Sequence, residues 1–270
     1  MRRRVCATGL GVPRSVTPFI LTYNEEPNLG RTLESLRWAP RVVVVDSGST
    51  DATRAIADRF SNVAWFERRF DDFEGQSRFA IEETGIDAEY VLALDADMAV
   101  PAPFVAELEA RFLEGDYAGA LVPFEYWALG RPLLGSILRP QLRLFRRAAV
   151  RVQQVGHGHK FTVDGPVYRF KAPVLHDDRK SLDRWTSSQL GYSKKEQDRM
   201  AREPASLKDR IRRSGAMPLI AGSIAYLRAG GPFGGRAALQ YTYERVVFES
   251  LMAMRLLGEE TPDERKSADE

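Results

Sequence analysis

Cysteine is almost missing from this chain. Cys6 is the only one in 270 residues, which excludes an intramolecular disulfide and fits a reducing compartment. Histidine is nearly as scarce, and its three copies, His157, His159 and His176, share one short window. Neither sign of charge dominates. The net charge of +2 gives no global attraction to nucleic acid, and no such partner is expected. No apolar run reaches the ~18–20 residues that a spanning helix needs. The nearest, Ala216 to Leu227, is shorter and contains Pro218. Internal repeats and low-complexity tracts are absent as well.

What is present suffices for one substantial α/β domain with an appendage, since 44% of the residues are hydrophobic and 28% charged. Met1-Arg2-Arg3-Arg4 followed by Val5 to Pro13 superficially mimics a signal peptide, but its apolar part is short and interrupted by glycine. Residues 1–15 are therefore read as a loose tail. Residues 16–200 are expected to form the main domain, with 16–113 as a ligand-binding half and 114–200 as a second half. A helical region over 201–258 and a charged, frayed tail over 259–270 complete the expected organisation.

From Val16 to about Leu113 strand and helix patterns alternate, which argues for a mostly parallel, Rossmann-like sheet flanked by helices. Strands are expected at Thr17–Thr22, Arg41–Asp46, Val63–Phe66 and Tyr90–Leu94. The second is almost purely β-branched and so belongs in the sheet centre. Helices are expected from near Pro27, capped by Asn24 or Glu25, then after Asp51, over Gly75–Thr84 and after Pro103. Further on, Tyr117–Trp127 and Leu142–Arg147 read as strands, and Phe161–Val174 as a hairpin around Asp164-Gly165-Pro166. Ser181–Ala201 and Leu207–Leu257 read as helical, the latter broken at Gly230–Gly235.

The buried-strand pattern Tyr90–Leu94 runs straight into Asp95-Ala96-Asp97. Carboxylates at such a place are costly unless a cation meets them. Ligands of open α/β sheets bind at the carboxyl ends of the strands, and a hard divalent ion carrying a diphosphate suits the pair. An Asx turn or helix cap without a ligand is the plainer alternative. Two other strand ends carry suitable residues: Asn24 with Glu25, and Asp46 to Asp51. Ser47-Gly48-Ser49 permits close approach of backbone to a ligand, and Asp46 or Asp51 can accept hydrogen bonds from a base or ribose. Thr50 and Asp51 also suit a helix cap. Three such ends on one rim make a joint signal.

Thr22-Tyr23-Asn24-Glu25-Glu26, Val44 to Asp51 and Leu94-Asp95-Ala96-Asp97 resemble the signature of family 2 glycosyltransferases with the GT-A fold. The likeness is closest to bacterial lipopolysaccharide-core glucosyl- and heptosyl-type transferases. Gly75 to Ala80, Arg143 to Arg147, His157 to Gly165, Pro173 to His176 and Tyr192-Ser193 resemble further blocks of that subgroup. The resemblance implies an inverting transferase that uses Mg²⁺ or Mn²⁺ and a nucleotide-sugar donor, by default a UDP-sugar. It also implies a glycolipid or lipid-linked acceptor met at the inner face of the cytoplasmic membrane.

Carried over residue by residue, the resemblance puts Tyr23, Asn24, Glu25, Asp46 and Asp51 around the nucleoside, with Thr22, Ser47, Gly48 and Ala96 against the donor. Gln76 and Arg78 would lie near ribose and diphosphate. Asp97 would ligate the ion, Asp95 would reach the ribose or a metal-bound water, and His176 is an additional ligand candidate. The subgroup usually has His-Glu where this chain has His157-Gly158, so the expected base is missing. His157 and His159 would share a face in a strand, and either imidazole suits a base near neutral pH. Asp177 is the rival base, and backbone-satisfied loop histidines are the bland alternative.

Lys208, Arg210, Arg212 and Arg213 precede an apolar segment with Met217, Leu219, Ile220, Ile224 and Leu227, which Arg228 closes. This pattern suits an in-plane membrane anchor or, equally, a helix packed on the main domain. The long C-terminal helices could also pair two copies. Two other functions compete: a non-catalytic module that binds a nucleotide sugar or scaffolds a membrane complex, and a nucleotidyltransferase. The latter usually carries a Gly-rich basic loop where this chain has Tyr23-Asn24-Glu25-Glu26.

Overall fold

The computed structural model describes residues 16–155 and 158–258, and its described side chains exclude 154–159. The expected tails at 1–15 and 259–270 and the candidate base His157 thus lie outside the described residues, and only the backbone of His159 is described.

The centre is a 7-stranded sheet. Its parallel part comprises β1 (Val16–Thr22), β2 (Val42–Asp46), β3 (Val63–Glu67) and β4 (Tyr90–Asp95), in the order β4-β1-β2-β3. Strands β1, β2 and β4 are mostly apolar runs because both faces are covered, while edge strand β3 is partly exposed. After β4 the chain forms a short strand β5 (Met98–Ala99), then β6 (Gly119–Val122), β7 (Phe124–Ala128), β8 (Arg131–Pro132) and β9 (Gln141–Arg146). Strand β9 lies antiparallel between β4 and β6 and extends the main sheet. A hairpin of β10 (Val150–Val155) and β11 (Gly158–Val163) follows, then β12 (Val167–Arg169) at the sheet edge and β13 (Val174–His176).

Two expectations fail here. Tyr117–Trp127 is broken at Pro123, which lacks the N–H a continuous ladder needs, and its halves β6 and β7 join different sheets. Phe161–Val174 does turn at Gly165 (φ 131°), yet no hairpin forms there. Instead β11 pairs with β10, and β12 runs parallel to β6.

Helices α1 (Leu29–Glu34), α2 (Thr53–Ala57) and α4 (Ala102–Glu107, continued by a π-turn over Leu108–Phe112) cover one sheet face. Leu33, Ile20, Val44, Leu92 and Phe104 meet in that core. The opposite face packs Phe19, Val45 and Phe145 under α3 (Phe73–Glu82) and the β10–β11 hairpin. The C-terminal part consists of α5 (Leu182–Arg202), α6 (Leu207–Arg213), α7 (Met217–Arg228) and α8 (Gly235–Leu257).

The packed-helix reading holds for one face of the C-terminal helices. Ala225, Ala229, Ala237, Ala238 and Tyr241 pack on Ala128 and Leu133 of the main domain, while Leu219, Leu227 and Phe233 face solvent. Arg212 does not belong to the expected basic flank. It is 2% exposed and clamps Glu249 of α8 at 2.8 Å and Glu196 of α5 at 2.6 Å.

Candidate active site

Strand register brings the three polar ends together. Thr22 pairs with Asp46, and Leu21 with Asp95, so β1 carries both neighbours' acids at one carboxyl rim. Immediately beyond, the chain turns into β5, and β13 pairs antiparallel with it, setting His176 opposite Met98. A second tie fixes that pairing, as the amide of Asp177 donates to the Asp97 carbonyl at 3.0 Å. His176 Nε2 thereby lies 3.8 Å from Asp97 Oδ1. On its other side the His176 ring stacks on Tyr126 with centroids 4.5 Å apart.

Asp97 is 9% exposed, yet its Oδ1 has no hydrogen-bond donor among the described residues, and neither has His176 Nδ1 a partner. A buried carboxylate oxygen left empty costs free energy unless a ligand completes it. Burial raises the Asp97 carboxyl above its ordinary range, against the pull of His176 and Lys180. Oxygen and imidazole donors together suit Mn²⁺, and a carboxylate with phosphate oxygens suits Mg²⁺. No cluster of three His, Cys, Asp or Glu ligands occurs among the described residues. Asp97 and His176 are the adjacent side chains here that could hold a divalent ion.

Asp95 is held differently. It is half-exposed, and Arg143 of β9 grips it through Nη1 to Oδ1 at 3.2 Å and Nη2 to Oδ2 at 3.0 Å. Arg143 escaped the sequence reading as a site residue. Its signal was weak, because polar and apolar residues alternate in β9 and an arginine in such a strand reads as solvent-facing. Ala96 is buried, and its carbonyl accepts from Thr32 Oγ1 at 2.5 Å, tying the acidic turn to α1.

Around the β2 end, several residues expected to touch a ligand shape the loop instead. Asp46 is 2% exposed, and its carboxylate accepts four bonds. Thr22 Oγ1 (2.8 Å) and Ser49 Oγ (2.5 Å) donate to Oδ1, and the amides of Gly48 (2.9 Å) and Ser49 (2.7 Å) to Oδ2. No acceptor capacity remains for a base or ribose, which corrects its expected role. Gly48, at φ 91°, makes the turn possible. Asn24 sits at φ 55° and spends its Oδ1 on the Thr50 amide at 2.7 Å. It therefore braces the start of α2 and does not cap α1. Asp51, just before the Ala52 N-cap of α2, accepts from the Thr53 amide at 3.0 Å and also from the Glu26 amide. Burial opposes its ionisation, but those bonds and Arg184 hold its carboxyl below the usual range.

Gln76 is fully buried and bonds Ser47 Oγ at 2.8 Å and the Arg68 carbonyl at 2.9 Å, supporting the same loop from below. Arg78 turns outward to Glu74 at 2.5 Å, so the guanidinium beside Gln76 is that of Arg68. Tyr23 is 57% exposed and its carbonyl accepts from Arg184 Nη2 at 2.6 Å, leaving the ring open over the rim.

Glu25 is likewise committed. Lys180 Nζ reaches its Oε1 at 3.1 Å, and Asn28 Nδ2 its Oε2 at 3.0 Å. Lys180 also bridges to Asp178 at 3.1 Å. Burial alone would lower the Lys180 ammonium, but Asp97, Glu25 and Asp178 more than reverse that and raise it. It is therefore a fixed cation beside the acidic turn. Asp177, the expected rival base, bonds Arg179 Nε and Nη2, each at 2.8 Å, while Arg31 donates to its carbonyl.

A family model described as "Glycosyl transferase family 2" matches residues 18–168, more than half of the 270. The chain belongs to that family. The matched span runs from β1 through β12 and so includes Asp46, Asp95, Asp97 and Arg143. Among curated proteins, the lipopolysaccharide core biosynthesis glycosyltransferase LpsC of Rhizobium meliloti (strain 1021) is 35% identical over 86 residues, 30% of this chain. That alignment spans 31% of the relative's own length. Among solved structures, S. aureus TarS 1-349 in complex with UDP-GlcNAc superposes with a TM-score of 0.50 at 12% identity. It covers 91% of this chain and 92% of that one, a likeness of fold. Glucosyl-3-phosphoglycerate synthase from Mycobacterium tuberculosis, in complex with Mn²⁺, UDP and glucosyl-3-phosphoglycerate, gives 0.47 at 18% identity, covering 76% and 88%. The fold of this family 2 member is accordingly GT-A, with a helical C-terminal part.

Proposed function

We propose that this family 2 member transfers a sugar from a UDP-sugar to a glycolipid of the cell envelope, inverting the anomeric centre. The observation that carries the reading is the buried, unfilled Oδ1 of Asp97 beside His176 at the carboxyl rim. Asp97 and His176 would hold Mg²⁺ or Mn²⁺, whose chemical contribution is to neutralise the departing diphosphate. Tyr23, exposed above the rim, offers its ring to the base, and the braced Ser47-Gly48 backbone leaves room for the nucleoside. The would-be Cβ of Gly48 meets nothing within 4 Å, so the loop is open there. Asp95, aligned by Arg143, faces the same rim and suits a ribose hydroxyl. The partial likeness to a lipopolysaccharide core glycosyltransferase favours an envelope glycolipid as acceptor class.

Thermal unfolding tests the donor assignment. With Mn²⁺ present and UDP at about 100 times its Kd, the midpoint should rise by about 5 °C. Without divalent ion the shift should largely vanish. Equal shifts with and without Mn²⁺, or none with either, would reject the metal-bridged donor.

The acceptor class also gives meaning to the outer face of α7 and α8. No helix among the described residues is long and apolar enough to cross a membrane. Leu219, Leu227 and Phe233 are nevertheless 78%, 70% and 91% exposed, and Arg210, Arg213 and Arg228 are exposed near them. Such a face suits in-plane adsorption to an anionic leaflet. Replacing Leu219, Leu227 and Phe233 together by Asp should abolish flotation with phosphatidylglycerol vesicles and leave the unfolding midpoint unchanged. Undiminished flotation would reject the membrane contact.

A further inference from the structure

The acidic turn has a second chamber beside it that the donor does not need. A cavity of about 300 Å³ opens between β7 and its following turn, the segment after β13, and helices α5 and α8. Its walls combine the rings of Tyr126, Trp127 and Trp185 with the carboxyl-bearing Asp177, Asp178 and Glu244. Apolar ring faces beside carboxylates match the two sides of a pyranose, its C–H face and its hydroxyls. The chamber adjoins the metal-ligand pair directly, because Tyr126 stacks on His176.

The three carboxylates differ in what occupies them. Asp177 is paired with Arg179 and Arg31, and Asp178 is paired with Lys180 and accepts from Asn28 Nδ2. Glu244 receives one bond from Gln240 Nε2 at 3.1 Å and a distant contact from Arg245 at 3.9 Å. It thus keeps acceptor capacity within the cavity. Burial raises the Glu244 carboxyl, with Asp178 adding and Arg245 and His176 opposing. That direction strengthens the carboxylate as a proton acceptor.

We infer that this cavity seats the acceptor sugar and that Glu244 of α8 is the general base that the His157-Gly158 segment lacks. The inference rests on the transferase reading above. In the step, the acceptor hydroxyl oxygen bonds to the anomeric carbon as the bond from that carbon to the diphosphate oxygen breaks. The electron pair leaves with UDP, and the hydroxyl proton passes to the Glu244 carboxylate. Helix α8 therefore contributes chemistry as well as packing.

The test begins with tryptophan fluorescence of the intact chain titrated with methyl hexosides and a methyl heptoside. At least one should quench saturably, and Trp185→Ala should abolish the effect. No saturable quenching, or quenching that survives Trp185→Ala, would overturn the cavity assignment. The best quencher then serves as acceptor with UDP-glucose, UDP-galactose and UDP-GlcNAc in the presence of Mn²⁺. Glu244→Gln should cut turnover at least about 100-fold while UDP affinity and glycoside quenching stay within about twofold. Glu244→Ala should regain turnover with added formate, a response that a merely structural glutamate would not give. Turnover retained by Glu244→Gln, absent in the unaltered protein with both ligands bound, or not rescued by formate, would overturn the base. Failure of the unaltered protein to bind UDP would instead remove the donor reading, so the two failures are separable.

Discussion

Asp97→Asn should lower sugar transfer by about 10²–10³-fold, because it removes the charged oxygen that would share a divalent ion with the donor diphosphate. The Mn²⁺-dependent part of UDP stabilisation should disappear with it. Stability of the ligand-free protein should move the other way. Asp97 buries a carboxylate whose Oδ1 is unfilled, and burial already disfavours its ionised form. A neutral amide of the same shape relieves that cost, so the unfolding midpoint should hold or rise. A structural aspartate would behave oppositely, with a lower midpoint and modest kinetic loss. Paired melting and turnover measurements on this one variant therefore separate function from scaffold.

The largest effect on stability is expected at Glu249→Ala. Arg212 is 2% exposed and donates to Glu249 at 2.8 and 2.9 Å while also holding Glu196. Removing Glu249 leaves the buried Nε and Nη2 without their acceptor, with only Nη1 still held by Glu196, and breaking such a buried pair costs about 3–5 kcal/mol. Urea unfolding should show that loss. The double change Arg212→Met with Glu249→Leu should recover most of it, because an apolar pair of similar volume carries no desolvation penalty. A loss below about 1 kcal/mol would mean the α5–α6–α8 junction tolerates an open charge, as surface pairs do. The junction matters to activity because α8 also carries Glu244.

The parallel sheet and the acidic turn were legible because their signals are local. Val42–Val45 can only be a buried strand, and Asp95-Ala96-Asp97 follows a second such run directly. What escaped was partner choice. Asp46 looks like a ligand residue until Thr22, far earlier in the chain, donates to it and the loop fills its other lone pairs. Glu25 and Asp177 changed roles because Lys180 and Arg31 reach them from distant parts of the chain, while Arg179, two residues on, folds back on Asp177. Arg143 was quoted within a motif, but its grip on Asp95 depends on β9 inserting beside β4. The turn at Asp164-Gly165-Pro166 was correctly placed, whereas its flanking strands found partners in different sheets. Sequence displays which residues are chemically able; pairing across the sheet decides which are still free.

The most direct measurement is electron–nuclear double resonance on Mn²⁺ bound to the protein with UDP. A ³¹P coupling from the diphosphate and a ¹⁴N coupling from an imidazole should appear on the same ion. His176→Ala should erase the nitrogen signal, and Asp97→Asn should abolish tight binding. A ³¹P coupling with no nitrogen, unchanged in both variants, would place the ion elsewhere and contradict the assignment of Asp97 and His176 as its seat.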